Sequence, residues 1–175
     1  ISPFENLLVV NSSSANKSED LLAFLRNSIE SLPVIPPNTV NMPSEVMTLW
    51  LQHQTAADHF EIDQECELYN PAEDGNVIRC KGQDLYSAEL AANLAAGKQV
   101  QKLGVLWKDS LTCIIEDDLT IKRLKFQDMV LEKAGESDAE SAAEQFDSDF
   151  AVMTLELSRF FKSLFSAFGG IQRKV

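Results

Sequence analysis

Residues 75–126 read GNVIRCKGQDLYSAELAANLAAGKQVQKLGVLWKDSLTCIIEDDLTIKRLKF, and this stretch decides the fold because strand-like and helix-like periods alternate within it. Val77 to Gln83 places Arg79, Lys81 and Gln83 on one face and Ile78 and Cys80 on the other, the period of two that a β-strand imposes. Ser87 then predicts the N-cap of a short helix carrying Leu90 and Leu94, stopped at Gly97 by the left-handed conformation glycine tolerates. A hairpin follows. Leu103, Val105 and Trp107 share one face with Lys102 and Lys108 opposite, Lys108 to Ser110 turns, and Leu111, Cys113 and Ile115 return. Glu116 to Asp118 make the next turn. Ile121 to Phe126 then predicts a third strand of the block, with Arg123 and Lys125 on one face and Lys122, Leu124 and Phe126 on the other.

The chain's positive charge is concentrated in the same block. Residues 79–125 carry eight Lys and Arg against six Asp and Glu, whereas the whole chain has a net charge of −12. An anionic protein repels polyanions at long range, so any phosphate contact has to come from a local cationic surface. This block is where the sequence offers one: its basic side chains recur at period two on neighbouring strands and form a ridge.

Outward from the block, Leu7 to Val10 reads as a short strand, followed by a helix. Asn16 and Glu19 have capping-box spacing, and Leu21, Leu25 and Ile29 form its apolar face. The helix is expected to end near Ser31, because Pro33, Pro36 and Pro37 impose an extended connector. Pro43 opens a second helix with Val46, Met47, Trp50 and Leu51 on one face. Phe60 to Tyr69 alternates apolar residues with Glu61, Asp63, Glu65 and Glu67, which predicts a strand with a solvated acidic face. Beyond Phe126, residues 135–143 read as an acidic mobile loop. Phe146, Phe150, Met153, Leu157, Phe160, Leu164 and Phe168 then step by three and four along a long helix ended by Gly169 and Gly170. Phe161 and Phe165 widen that stripe, which suits core packing or a partner interface formed by Phe160, Phe161, Leu164, Phe165 and Phe168. The fold class expected is α+β, a mixed or antiparallel sheet flanked by helices with a long Phe-rich C-terminal helix.

The chemistry offered is non-catalytic. With two histidines, no CxxC, no HExxH and no nucleophile elbow, the sequence has no recognisable zinc or hydrolase constellation. Ala96, Gly97 and Lys98 resemble the end of a P-loop, but Ala92 replaces its first glycine and Gln99 its hydroxyl. Neither a cofactor nor a metal is expected. Cys66, Cys80 and Cys113 are widely spaced and odd in number, as suits buried thiols in a reducing compartment. No apolar run approaches the length of a membrane span, so the chain is expected to be cytoplasmic without membrane contact.

Five strings, SEDLLAFLRNSIESLPVIP (18–36), EDGNVIRCKGQDL (73–85), AAGKQVQKLGVLW (95–107), IKRLKF (121–126) and EQFDSDFAVMTLEL (144–157), resemble the C-terminal half of the RdgC family in order and spacing. The resemblance covers nearly the whole chain. It implies a nucleoid-associated protein that binds double-stranded DNA with little sequence preference, closes into a ring-shaped homodimer with a positively lined hole, and restrains the RecA recombinase by occupying DNA. It implies neither catalytic residues nor a cofactor. Lys81 and Gln83 match the family's basic strand before QDL, Lys98 and Lys102 its GK-x-x-x-K, and Lys122, Arg123 and Lys125 its KRLK. With Arg79 from the same strand, these are the candidate DNA contacts. Gly82 departs from the pattern, standing where another basic residue is expected. The chain, beginning abruptly at Ile1, is expected to form over its residues 1–175 the C-terminal part of a protein whose N-terminal half precedes it. The rival expectation is a protein-interaction or dimerisation module, with DNA held mainly by that preceding half.

Overall fold

The computed structural model describes residues 1–3, 5–12, 14–72, 76–135 and 141–172, with only the backbone of Ala134. Two compact units make up the chain, Ile1–Pro37 and Asn38–Val175. In the first, α1 spans Ala15–Ile29 and buries none of its residues. Its N-cap is Ser14, whose hydroxyl accepts from the Lys17 amide at 3.4 Å, so the capping residue lies two positions before the expected Asn16. The helix stops at Glu30, whose φ of 64° leaves helical space. The expected strand at Leu7 to Val10 is absent. Of these four residues Leu7 pairs, in an isolated bridge to Ser2, and among the described residues no second strand lies alongside to take up the remaining backbone groups.

The second unit runs α2 (Pro43–His53), β1 (Phe60–Tyr69), β2 (Val77–Lys81), α3 (Ala88–Ala95), β3 (Gln99–Trp107), β4 (Leu111–Glu116), β5 (Ile121–Phe126), α4 (Asp128–Gly135) and α5 (Ala142–Ala167). The five strands form one sheet ordered β2-β1-β3-β4-β5, with every pairing antiparallel. The fold is α+β. Local chemistry sets its boundaries: Pro43 occupies the first turn of α2, the Ser87 hydroxyl accepts from the Leu90 amide to start α3, and Ser141 does the same for Glu144 in α5. Of the acidic loop expected at 135–143, residues 136–140 lie outside the described residues.

One face of the sheet is apolar and carries the helices. Leu68, Val100, Leu103, Val105, Trp107, Leu111 and Ile115 are fully buried there, beneath Met47 of α2 and Phe160 and Leu164 of α5. Phe160 meets the edge of Trp107 with ring centroids 5.7 Å apart, and Phe168 stacks on Trp50 at 5.6 Å. The Thr48 hydroxyl accepts from the Val100 amide at 2.9 Å and fixes α2 to the start of β3. Gly169, at φ 83°, lets the chain turn back after α5, where a side chain would strike the Asn41 amide at 2.6 Å.

The Phe seam of α5 is therefore core only in its C-terminal half. Phe160, Leu164 and Phe168 are 0% exposed inside this unit, so three of the five residues expected at a partner interface are unavailable to one. Phe161 and Phe165 are half-buried and stack on each other at 6.0 Å. Phe146 and Phe150 stack similarly but remain mostly exposed. Burial pushes the Cys66 and Cys113 thiols up to about 12.

Two predictions follow from this packing. Phe160→Ala should cost about 3–5 kcal/mol in denaturant melts, while Phe146→Ala should stay within about 0.5 kcal/mol. Because the two raised thiols keep their protons in the fold while the unfolded chain loses them, stability should decline as pH rises from the ordinary thiol range toward about 12. Melts across that alkaline range would show it, and a flat profile would contradict it.

Candidate nucleic-acid interface

The other face of the sheet is polar. Its composition follows from register, since residues directly opposite on antiparallel strands share a face. Lys81 stands opposite Glu65, and Arg79 opposite Glu67. Glu67 is also opposite Lys102, which in turn is opposite Glu116. Along β4, Thr112 faces Lys125 and Ile114 faces Lys122. Basic side chains from β2, β3 and β5 therefore converge on one side of the sheet, with the acidic stripe of β1 running among them.

An irregularity in β5 completes this set. Strict alternation along the strand separates Lys122 from Lys125, yet the register shifts opposite Thr112/Ile114, and Arg123 takes φ 49°. The extra residue puts Lys122 and Lys125 on the same face and leaves Ile121, Leu124 and Phe126 packed against the core. The expected grouping of Lys122 with Leu124 and Phe126 is corrected accordingly. A second irregularity, in β1 between Ile62 and Cys66, lies against Gly104 of β3. A Cβ at Gly104 would meet the Glu65 carbonyl oxygen at 3.2 Å and the Asp63 and Glu65 Cβ atoms at 3.4 Å, so glycine makes room for the bulged strand.

The cations fall into two groups. Arg79 Nε donates to Glu67 Oε2 at 2.7 Å, and Lys102 Nζ lies 3.5 Å from both Glu67 Oε1 and Glu116 Oε1. Arg123 Nη1 lies 2.8 Å from both oxygens of Glu65. That pair joins β5 to β1 across three strand spacings, about 14 Å in a flat sheet. Gly104, packed against Glu65, places no side chain beside the carboxylate end of this pair. Lys81, Lys122 and Lys125 form the second group, with no ion pair or hydrogen bond to another described residue.

Two candidates lie apart from this arrangement. Lys98 is 9% exposed, and its ammonium donates to Asn76 Oδ1 at 2.6 Å, so it anchors the chain before β2 instead of facing solvent. Gln83 is exposed but falls outside β2, which ends at Lys81 before Gly82 turns at φ 62°. Conversely, Glu65 and Glu67 are more than the solvated carboxylates the alternation suggests, and Glu116, expected in the following turn, ends β4 and pairs with Lys102. Glu67 is 9% exposed and bridges two strands. The signal for this was present as an acidic strand at period two next to basic ones, but it needs the strand order to be read.

Asp117 and Asp118 occupy the β4–β5 turn, where burial, then the neighbouring Asp118, raises the Asp117 carboxyl above the usual carboxylate range. Among the described residues no three His, Cys, Asp or Glu side chains are grouped to hold a metal ion. No helix among them is long and apolar enough to cross a membrane.

Residues 1–171 match the family described as "Putative exonuclease, RdgC". The chain belongs to the RdgC family. It is 42% identical over 170 residues to the recombination-associated protein RdgC of Pseudomonas putida strain GB-1, and 43% identical over 170 residues to those of Pseudomonas syringae pv. tomato and Pseudomonas aeruginosa. Each alignment covers 97% of this chain and 56% of the relative, so the chain spans about half the length of the curated RdgC proteins it matches. The family description names an exonuclease, whereas these relatives are named for recombination.

The ion pairs themselves are testable. Arg123 and Glu65 retain 59% and 29% side-chain exposure. A double-mutant cycle on Arg123→Ala and Glu65→Ala, read by thermal or denaturant melts, should give a coupling of about 0.2–1 kcal/mol, as for exposed pairs in water. A coupling several times larger would show that the pair is a structural clamp.

Proposed function

We propose that the open sheet face is the surface by which this chain meets double-stranded DNA, taking hold of phosphates without reading base sequence. The observation that carries the reading is the convergence of Arg79, Lys81, Lys102, Lys122, Arg123 and Lys125 on one side of one sheet, within a chain of net charge −12. Over the rest of the chain Asp and Glu outnumber Lys and Arg. On this face each cation that neutralises a phosphate releases condensed counterions, a gain that is independent of sequence and falls as salt rises. The recombination-associated name of the relatives supports a role on DNA. The reading extends, as the family resemblance implies, to a homodimer that encircles the duplex, resides on the nucleoid, and limits RecA by occupying its substrate without catalysing a reaction.

The rival reading is an assembly module, favoured by the exposed stack of Phe146 and Phe150 on α5. The two separate in a binding titration. Fluorescence anisotropy with two unrelated duplexes should give similar affinities and a steep salt dependence. Replacing Lys81, Lys122 and Lys125 together by Ala should flatten the slope of log K against log salt by about two to three units. Unchanged slope and affinity would place DNA binding elsewhere and favour assembly. Release of nucleotides from the duplex in magnesium would instead support the exonuclease description.

A further inference from the structure

We infer that Glu65, Glu67 and Glu116 are anionic competitors built into the DNA-facing surface. They hold Arg123, Arg79 and Lys102 in the absence of nucleic acid and set the affinity of the face by how readily they give them up. This rests on the DNA-binding reading above.

The geometry supports an exchange. Guanidinium groups bind carboxylates and phosphates through the same parallel N–H donors, so a phosphate oxygen can take the place that Glu65 holds at 2.8 Å from Arg123 Nη1. The arginines are accessible to such a partner, since the Arg79 and Arg123 side chains remain 75% and 59% exposed although paired. The Arg123–Glu65 pair is the more exposed of the two and has little net strength in water, so transferring Arg123 costs little.

The carboxylates differ in this respect. Glu67 and Glu116 keep only 12% and 19% side-chain exposure, and Glu65 keeps 29%. Rooted on the sheet beside their cations, they stay close to the duplex once those cations have turned to DNA, and repel it. Each therefore lowers affinity twice, by holding a cation and by staying behind as a negative charge. Lys81, Lys122 and Lys125 bear no such restraint and make first contact.

The test compares five versions of the chain in anisotropy titrations with a duplex at several salt concentrations: wild type, Glu65→Gln, Glu67→Gln, Glu156→Gln and the triple lysine variant. Glu156 pairs with Arg159 at 2.7 Å on α5, in the helical layer, so its substitution changes net charge equally without freeing a cation on the open face. Glu65→Gln and Glu67→Gln should tighten binding by about three- to tenfold and steepen the salt slope by up to about one unit, with Glu156→Gln close to wild type. Melting curves check that each variant folds; should Glu67→Gln be destabilised, the more exposed Glu65→Gln decides the question. If both variants bind no tighter than Glu156→Gln while the triple lysine variant still loses affinity, the inference falls and the DNA-binding reading stands. If the triple lysine variant binds as well as wild type, both fall.

Discussion

A carboxylate placed in the middle of a sheet has to be met by cations, and in this protein that requirement falls on Glu67. Its strand is paired on both sides, and its side chain is almost wholly covered. Left alone it would carry an uncompensated buried charge, so Arg79 from one neighbouring strand and Lys102 from the other close on it. Glu116 extends the chain of contacts to β4, and Arg123 reaches from β5 to Glu65. The polar face is thus ordered by a row of opposite charges across the strands, much as the other face is ordered by aromatic rings.

This arrangement explains how a strongly anionic chain can carry a cationic site. The apolar face is committed to α2 and α5, whose Trp50, Phe160 and Phe168 fill it, so polar function is confined to the opposite side. There two of the register shifts matter as much as the residue types. The one in β5 turns Lys122 to the side of Lys125, and the one in β1 is admitted by the bare backbone of Gly104. A sheet with regular alternation would scatter these side chains over both faces.

Much of this was legible in the sequence where period and packing agree. Phe60–Tyr69, Leu111 to Ile115 and Ile121–Phe126 read as strands, and Pro43 and Ser87 marked helix starts, because local chemistry and tertiary demand coincide there. The misreadings have separate causes. The run at Leu7 to Val10 has strand composition, but a strand needs a neighbour. The face of Lys122 was lost because a bulge is invisible to a period-two count, and the burial of Lys98 because its partner Asn76 lies in another part of the chain. The Phe seam of α5 has one period from end to end, yet only the half that lies over Trp107 and Trp50 is covered.

The central claim is that duplex DNA lies along the open face of this sheet. Lysine acetylation footprinting, with mass spectrometry of the modified peptides in the presence and absence of duplex, tests it most directly. Protection should be concentrated at Lys81, Lys122 and Lys125, with Lys162 on α5, in the helical layer, modified equally in both samples. Equal modification of the three sheet lysines with and without DNA, or protection centred on Lys162, would contradict the account.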